Sequence, residues 1–195
     1  PDAYLVGEVW READAWVRDD VFDGVTNYRL RDILLDYVHT TVLDAEDFGY
    51  ELTTLLNAHG GAAPAMLNLL DSHDTTRILT TLKGDADKLR ILLTLQMTLP
   101  GAPMIYYGDE VGLLGETDPD CRRTFPWEES AWNAQVVNAT RELIALRHAH
   151  PALRHGTPEV LGFFNGVLAY RMAAEGDEVI VVVNPREAIA NLDLP

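Results

Sequence analysis

Short apolar runs that stop abruptly at a cluster of polar side chains are the feature that most constrains this chain. Residues 3–10 are apolar up to a lone carboxylate at Glu8. Residues 65–70 run into Asp71, Ser72, His73 and Asp74, with Arg77 close behind. Residues 103–107 run into Asp109 and Glu110, and a long loop follows over 112–127. Residues 22–27 form a fourth, weaker run. Runs of this length suit strands buried on both faces, as a parallel sheet requires. Between them lie helical patterns. Leu30, Ile33, Leu34, Tyr37 and Val38 follow the three-four spacing of one helix face. Leu52, Leu55 and Leu56 continue it. Leu89, Leu92 and Leu93 follow the candidate cap Asp85 and end at Pro100-Gly101, and Val136, Val137, Thr140, Leu143 and Ile144 end before Pro151. Strands alternating with helices imply right-handed crossovers, a parallel sheet, and a site built at the carboxyl ends of the strands.

The pattern changes near residue 157. Residues 160–164, 167–170 and 179–183 read as short strands, and Asn165-Gly166 is a strong hairpin signal between the first two. A small antiparallel module therefore begins here, and it stops with few strands made.

Charge and cysteine content narrow the partners. Asp and Glu outnumber Lys and Arg 31 to 15, for a net charge of −16. That field repels nucleic acid and an anionic membrane surface, and leaves a neutral sugar unaffected. Lys83 and Lys88 are the only lysines, a bias that fits a GC-rich genome better than salt adaptation. No apolar run approaches the ~18 residues of a membrane span, and the N-terminus lacks a secretory pattern. The single cysteine, Cys121, rules out an internal disulfide and fits a reducing, cytoplasmic compartment.

Position alone leaves Glu8 open between two roles. Its apolar neighbours Val6, Val9 and Trp10 would favour a protonated acid of the kind that protonates a glycosidic oxygen, and an Arg-paired carboxylate at a barrel mouth is the equal alternative. His73-Asp74 by itself reads first as a satisfied structural pair. The other histidines, His39, His59, His148, His150 and His155, offer no further ligands at metal-site spacing.

Taken together, the motifs resemble the α-amylase family of glycoside hydrolases. Gly7-Glu8-Val9-Trp10 is similar to its strand-five motif. Leu70-Asp71-Ser72-His73-Asp74-Thr75-Thr76-Arg77 is similar to its strand-seven motif, and residues 101–110 to its strand-eight motif. The family usually has Asn where Ser72 stands. The loop Gly115-Glu116-Thr117-Asp118-Pro119-Asp120-Cys121-Arg122-Arg123, with Phe125-Pro126-Trp127, resembles the neopullulanase, cyclomaltodextrinase and maltogenic amylase group. The resemblance implies an α/β fold: strands five to eight of a (β/α)8 TIM barrel over residues 1–152, then an incomplete all-β domain over 153–195. It implies Glu8 as general acid/base and Asp74 as transition-state stabiliser. His73, Trp10, Asp118 and Arg122 would bind substrate, the last two as a bidentate pair, with Cys121 an incidental loop residue. The expected reaction is retaining cleavage of α-1,4 bonds, with α-1,6 a further candidate, in maltodextrins, cyclodextrins or pullulan. Trehalose-forming or isomaltose-cleaving siblings are further readings, and a non-catalytic maltodextrin-binding or assembly module is the alternative. No cofactor is expected, and no oxygen-ligand spacing calls for calcium. The resemblance also implies that the parent is longer, dimeric, and carries the other barrel half with the strand-four Asp nucleophile, so that the 195-residue chain alone is inactive.

Overall fold

A computed structural model describes residues 3–11, 13, 15–18, 20–174 and 176–186. Four short parallel strands carry the frame. β1 (Val6–Gly7) pairs with β2 (Gly24–Val25), and β3 (Leu67–Leu69) pairs with β4 (Ala102–Met104). A parallel bridge from Thr26 to Leu67 joins the two pairs into one arc. The first three lie inside the apolar runs of the sequence, shorter than those runs, and β4 begins one residue before its run and ends within it. The weak second run proves to be a strand whose two residues are both buried.

The helices form where their periodicity and caps place them. α1 (Tyr28–Val38) starts at Asn27, whose side chain accepts from the Leu30 amide, and buries Leu30, Ile33, Leu34, Tyr37 and Val38. α2 (Ala45–His59) is capped by Asp44, which accepts from the Asp47 amide at 2.9 Å. A single short turn, α3 (Ile78–Thr81), precedes α4 (Ala86–Thr98), capped by Asp85. α5 (Ala134–Ala149) starts at Asn133 and hands over to the short α6 (Ala152–His155). These side-chain caps satisfy amides that the first helical turn leaves without partners. One crossover departs from strict alternation: β1 and β2 are joined without a helix among the described residues.

The antiparallel module is a three-stranded sheet in the order β5 (Thr157–Phe164), β6 (Val167–Ala174), β7 (Asp177–Val183). Asn165 and Gly166 form the β5–β6 turn with φ of +52° and +86°. Two consecutive positive φ values match the twist of a hairpin, which is why Asn-Gly occurs there.

The apolar core does not stop where the topology changes. One buried cluster joins Leu30, Leu34 and Tyr37 of α1 and Leu89, Leu92 and Leu93 of α4 to Leu168, Tyr170 and Met172 of β6 and Val181 and Val183 of β7. Tyr37 donates its hydroxyl to the carbonyls of Gly166 (2.9 Å) and Val183 (3.2 Å). Tyr170 shares a short hydrogen bond with Thr98 at the end of α4. Arg147 on α5 adds a polar bolt, donating to the carbonyls of Met97, Leu153 and Gly101.

Candidate active site

The carboxyl ends of the four strands converge on one polar face. β1 delivers Glu8 and Trp10, and β2 leads into Tyr28 at the start of α1. The turn after β3 carries Ser72, His73 and Asp74, and the loop after β4 carries Asp118, Cys121 and Arg122. Tyr28 links the first two strands to the third. Its hydroxyl lies 2.8 Å from Ser72 Oγ and 3.3 Å from Glu8 Oε1, and its ring stacks on Trp10 at 4.1 Å between centroids. Burial is the largest influence on the phenol and pushes its pKa up, so it stays a protonated donor near neutrality. Trp10 also lines an open groove of about 630 Å³ that reaches Asn27, Arg29 and Glu51.

The second half of the network starts at Ser72, whose Oγ accepts from the Asp74 amide at 3.2 Å. Asp74 Oδ2 lies 3.3 Å from His73 Nε2, an ion pair when the imidazole is protonated. Asp74 Oδ1 accepts from Arg122 Nη2 at 2.8 Å. Arg122 Nε lies 3.0 Å from Asp118 Oδ1 and 3.0 Å from the His73 carbonyl. All six site residues expected from the sequence, Glu8, Asp74, His73, Trp10, Asp118 and Arg122, thus belong to one run of contacts.

Three expectations need correction. Glu8 is exposed rather than enclosed by Val6, Val9 and Trp10, because Val6 and Trp10 are themselves exposed and neither covers the carboxylate. The Asp118–Arg122 pair is a single contact, not a bidentate one, because the guanidinium is divided among Asp118, the His73 carbonyl and Asp74. Cys121 is not incidental: it is fully buried, and its Sγ lies 3.0 Å from the His73 carbonyl. Among the remaining aromatics, Trp16 is half exposed and Trp127 is 82% exposed.

Tyr28 is the linking residue that the sequence concealed. It opens a helix with a strong apolar stripe and so reads as core, and only the pairing of β1 with β2 brings its hydroxyl to Glu8. A buried layer lies beneath the face. Asp71 caps the turn into α3 by accepting from the Ile78 amide at 2.6 Å. Asp109 is held well above the usual carboxylate range, first by burial and then by the negative charge of Asp71, against which Arg77 at 3.3 Å works only in part. Among the described residues no group of three His, Cys, Asp or Glu side chains could hold a metal ion.

Comparison with known proteins agrees with this arrangement. Residues 1–147 match the α-amylase catalytic-domain family. The chain is 39% identical over 185 residues to a cyclomaltodextrinase of Thermoanaerobacter pseudethanolicus, covering 94% of this chain and 32% of that protein. It is 45% identical over 157 residues to neopullulanase 2 of Thermoactinomyces vulgaris, covering 80% of this chain and 27% of that protein. Among solved structures, the cyclic α-maltosyl-(1→6)-maltose hydrolase of Arthrobacter globiformis, in complex with cyclic α-maltosyl-(1→6)-maltose, superposes with a TM-score of 0.89 at 36% identity, over 93% of this chain and 41% of that one. The chain therefore spans about a third of the length of the curated relatives it matches. A parallel arc with its polar groups at the strand ends, matched over nearly its whole length by such relatives, is part of a (β/α)8 barrel, and the chain belongs to the α-amylase catalytic-domain family of glycoside hydrolases.

Proposed function

We propose that this chain supplies the acid/base half of a retaining glycosidase that cleaves α-1,4-glucosidic bonds, and α-1,6 bonds as a further activity, in maltodextrins, cyclodextrins or pullulan. The observation that carries the reading is the contact chain from Glu8 through Tyr28 and Ser72 to Asp74. It ties the residue that carries the acid/base carboxyl to the turn that carries Asp74, so that both carboxyl groups, from different strands, stand on one face where a sugar can meet them. In this reading β1 to β4 are strands five to eight of the barrel, residues 1–152 are its second half, and residues 153–195 begin a β domain. Glu8 protonates the glycosidic oxygen as the bond breaks and then activates the water that releases the product. Asp74, positioned by Arg122, accepts hydrogen bonds from sugar hydroxyls that strengthen as positive charge grows on the ring. His73, Asp118 and Arg122 bind the sugar on one side of the scissile bond, and Trp10 offers an aromatic plane on the other.

Retention needs a nucleophile opposite the acid/base. The family places it on strand four, and neither Glu8 nor Asp74 takes that position. The 195-residue chain alone is accordingly inactive, and a cytoplasmic, dimeric protein of greater length carries the activity without a cofactor. The test is hydrolysis of maltotriose, β-cyclodextrin and pullulan by the 195-residue chain and by its full-length parent, each with and without Glu8→Gln. The parent loses on the order of 10²–10⁴-fold in kcat on losing its acid/base. Undiminished turnover by the parent carrying Glu8→Gln overturns the assignment, and sugar release by the short chain overturns the missing-nucleophile argument.

A further inference from the structure

Arg77 is fully buried, yet it sits one layer below the face that carries Asp74 and Arg122. Its Nε donates to the Cys121 carbonyl at 2.8 Å, and its Nη1 donates to the Tyr107 carbonyl and approaches Asp109 at 3.3 Å. Its guanidinium carbon lies 4.0 Å from the Tyr106 ring centroid and 4.6 Å from that of Tyr107. Its own amide donates to the Gly115 carbonyl at 2.9 Å. One residue thus ties the turn after β3 to the start of the loop that carries Asp118 and Arg122, through its amide, and to the Cys121 carbonyl farther along it, through its side chain.

Stability does not account for this choice of residue. Nη2 is buried with no hydrogen-bond partner among the described residues. The carboxylate paired with it, Asp109, is held toward its neutral form by burial and by Asp71. A buried cation, even one held by two carbonyls and two aromatic rings, is often no more stable than a well-packed apolar side chain of similar volume. What Arg supplies, and an apolar residue cannot, is a rigid planar fork that fixes two carbonyls from separate segments relative to each other. From the Cys121 carbonyl the chain continues directly to Arg122. There Cys121 Sγ and Arg122 Nε both reach the His73 carbonyl, and Arg122 Nη2 reaches Asp74.

We propose that Arg77 is a positioning residue: it sets the height of the 115–122 loop, and through Cys121 it aims the Arg122 guanidinium at Asp74 and at the sugar beyond it. The inference rests on the reading of the Asp74–Arg122 cluster as a sugar-binding edge, and deepens it. The readout is the ratio of kcat/KM on maltotriose to that on 4-nitrophenyl α-glucoside, measured in the full-length protein. The longer substrate extends farther toward the Arg122 edge than the single glucosyl unit does.

Arg77→Lys keeps the charge and loses the fork. It is expected to lower the ratio on the order of tenfold, since a misplacement near 1 Å costs as much as ~10²-fold. Added to Arg122→Ala, it has no further effect on the ratio, because both act through one guanidinium. Gly115→Ala disturbs the same joint from the loop side, where a Cβ would lie 2.8 Å from the Asp120 carbonyl, 3.0 Å from Arg77 Cγ and 3.0 Å from Cys121 Cα. It is expected to lower the ratio in the same way, and it serves as the test if Arg77→Lys does not fold. If Arg122→Ala leaves the ratio unchanged, the sugar-edge reading fails. If Arg122→Ala lowers it and neither Arg77→Lys nor Gly115→Ala does, or if their effects add to that of Arg122→Ala, the positioning role of Arg77 is overturned and the sugar edge stands.

Discussion

Replacing Arg147 with Met measures how strongly the helical layer is fastened to the strands and to α6. Arg147 gives Nη1 to the carbonyls of Met97 and Leu153, both at 2.7 Å, and Nη2 to the carbonyl of Gly101 at 2.6 Å. Met97 lies in the last turn of α4 and Leu153 in α6, so the guanidinium caps carbonyls that helix ends leave without partners. Hydrogen bonds to a charged group are worth about 1.5–3 kcal/mol each. Two effects lower the sum. Burial already works against the charge, pulling the Arg147 pKa down, with Arg154 adding to it. Water can also enter the space left by the half-buried side chain and take up part of the carbonyls' bonding. About 1 kcal/mol per bond, or roughly 3 kcal/mol in all, is therefore expected for Arg147→Met, which keeps the apolar stem and the helix propensity. In a protein of this size that is a fall in Tm of roughly 6–12 °C. Urea unfolding of wild type, Arg147→Met and Arg147→Lys is the assay, with Lys recovering about one bond. A Met variant within about 1 kcal/mol of wild type, or a Lys variant equal to Arg, would refute the three-carbonyl cap.

Three further substitutions test other features. The raised pKa of Asp109 means that its contribution to stability is fully present below the ordinary value of 3.8 and is lost as pH rises through the raised value. Asp109→Asn should flatten the decline seen in thermal melts above pH 3.8, and an unchanged slope would refute the buried-acid assignment. In Gly24→Ala a Cβ would lie 2.2 Å from the Ala65 carbonyl oxygen and 2.7 Å from the Tyr4 hydroxyl. Because the nearer neighbour is backbone, the expected loss is about 3 kcal/mol by chemical denaturation, and a neutral result would contradict the packing of β2 against residues 60–65. Tyr170→Phe removes the bond to Thr98 but leaves Thr98 Oγ1 donating to the Thr94 carbonyl. The loss should therefore stay near 1 kcal/mol, and a cost above about 3 would mean the hydroxyl has a second role.

Most of the frame was legible because it depends on patterns that repeat within a few residues. The stripe Leu30, Ile33, Leu34, Tyr37 and Val38 is the buried face of α1, and Asp85 and Asn165-Gly166 act as the cap and turn that their chemistry favours. Strand lengths were less legible. An apolar run does not say how many of its residues find a paired neighbour, so residues 3–10 yield only Val6–Gly7. The candidate site was legible as residue types and not as partners. Glu8 and Asp74 stand out as carboxyls at the ends of apolar runs, but Tyr28 lies 20 residues from Glu8 and 44 from Ser72. Contacts of that separation are made by strand order, which local periodicity does not encode. Cys121 and Arg77 were obscure for a related reason: each does its work through backbone carbonyls, and these carry no sequence signature.

The apolar cluster that runs from α1 and α4 into β6 and β7 bears on how this chain can be cut and recombined. A change from helical to antiparallel patterning near residue 157 invites treating the sheet as an exchangeable module. Yet Tyr37 and Thr98 each reach across that line. A chimera joined there would have to import a matching α1 and α4 surface along with any foreign sheet. The fusion point that respects the packing is a set of side-chain contacts rather than a position in the chain, and melting should proceed as one cooperative event in which sheet and helices are lost together.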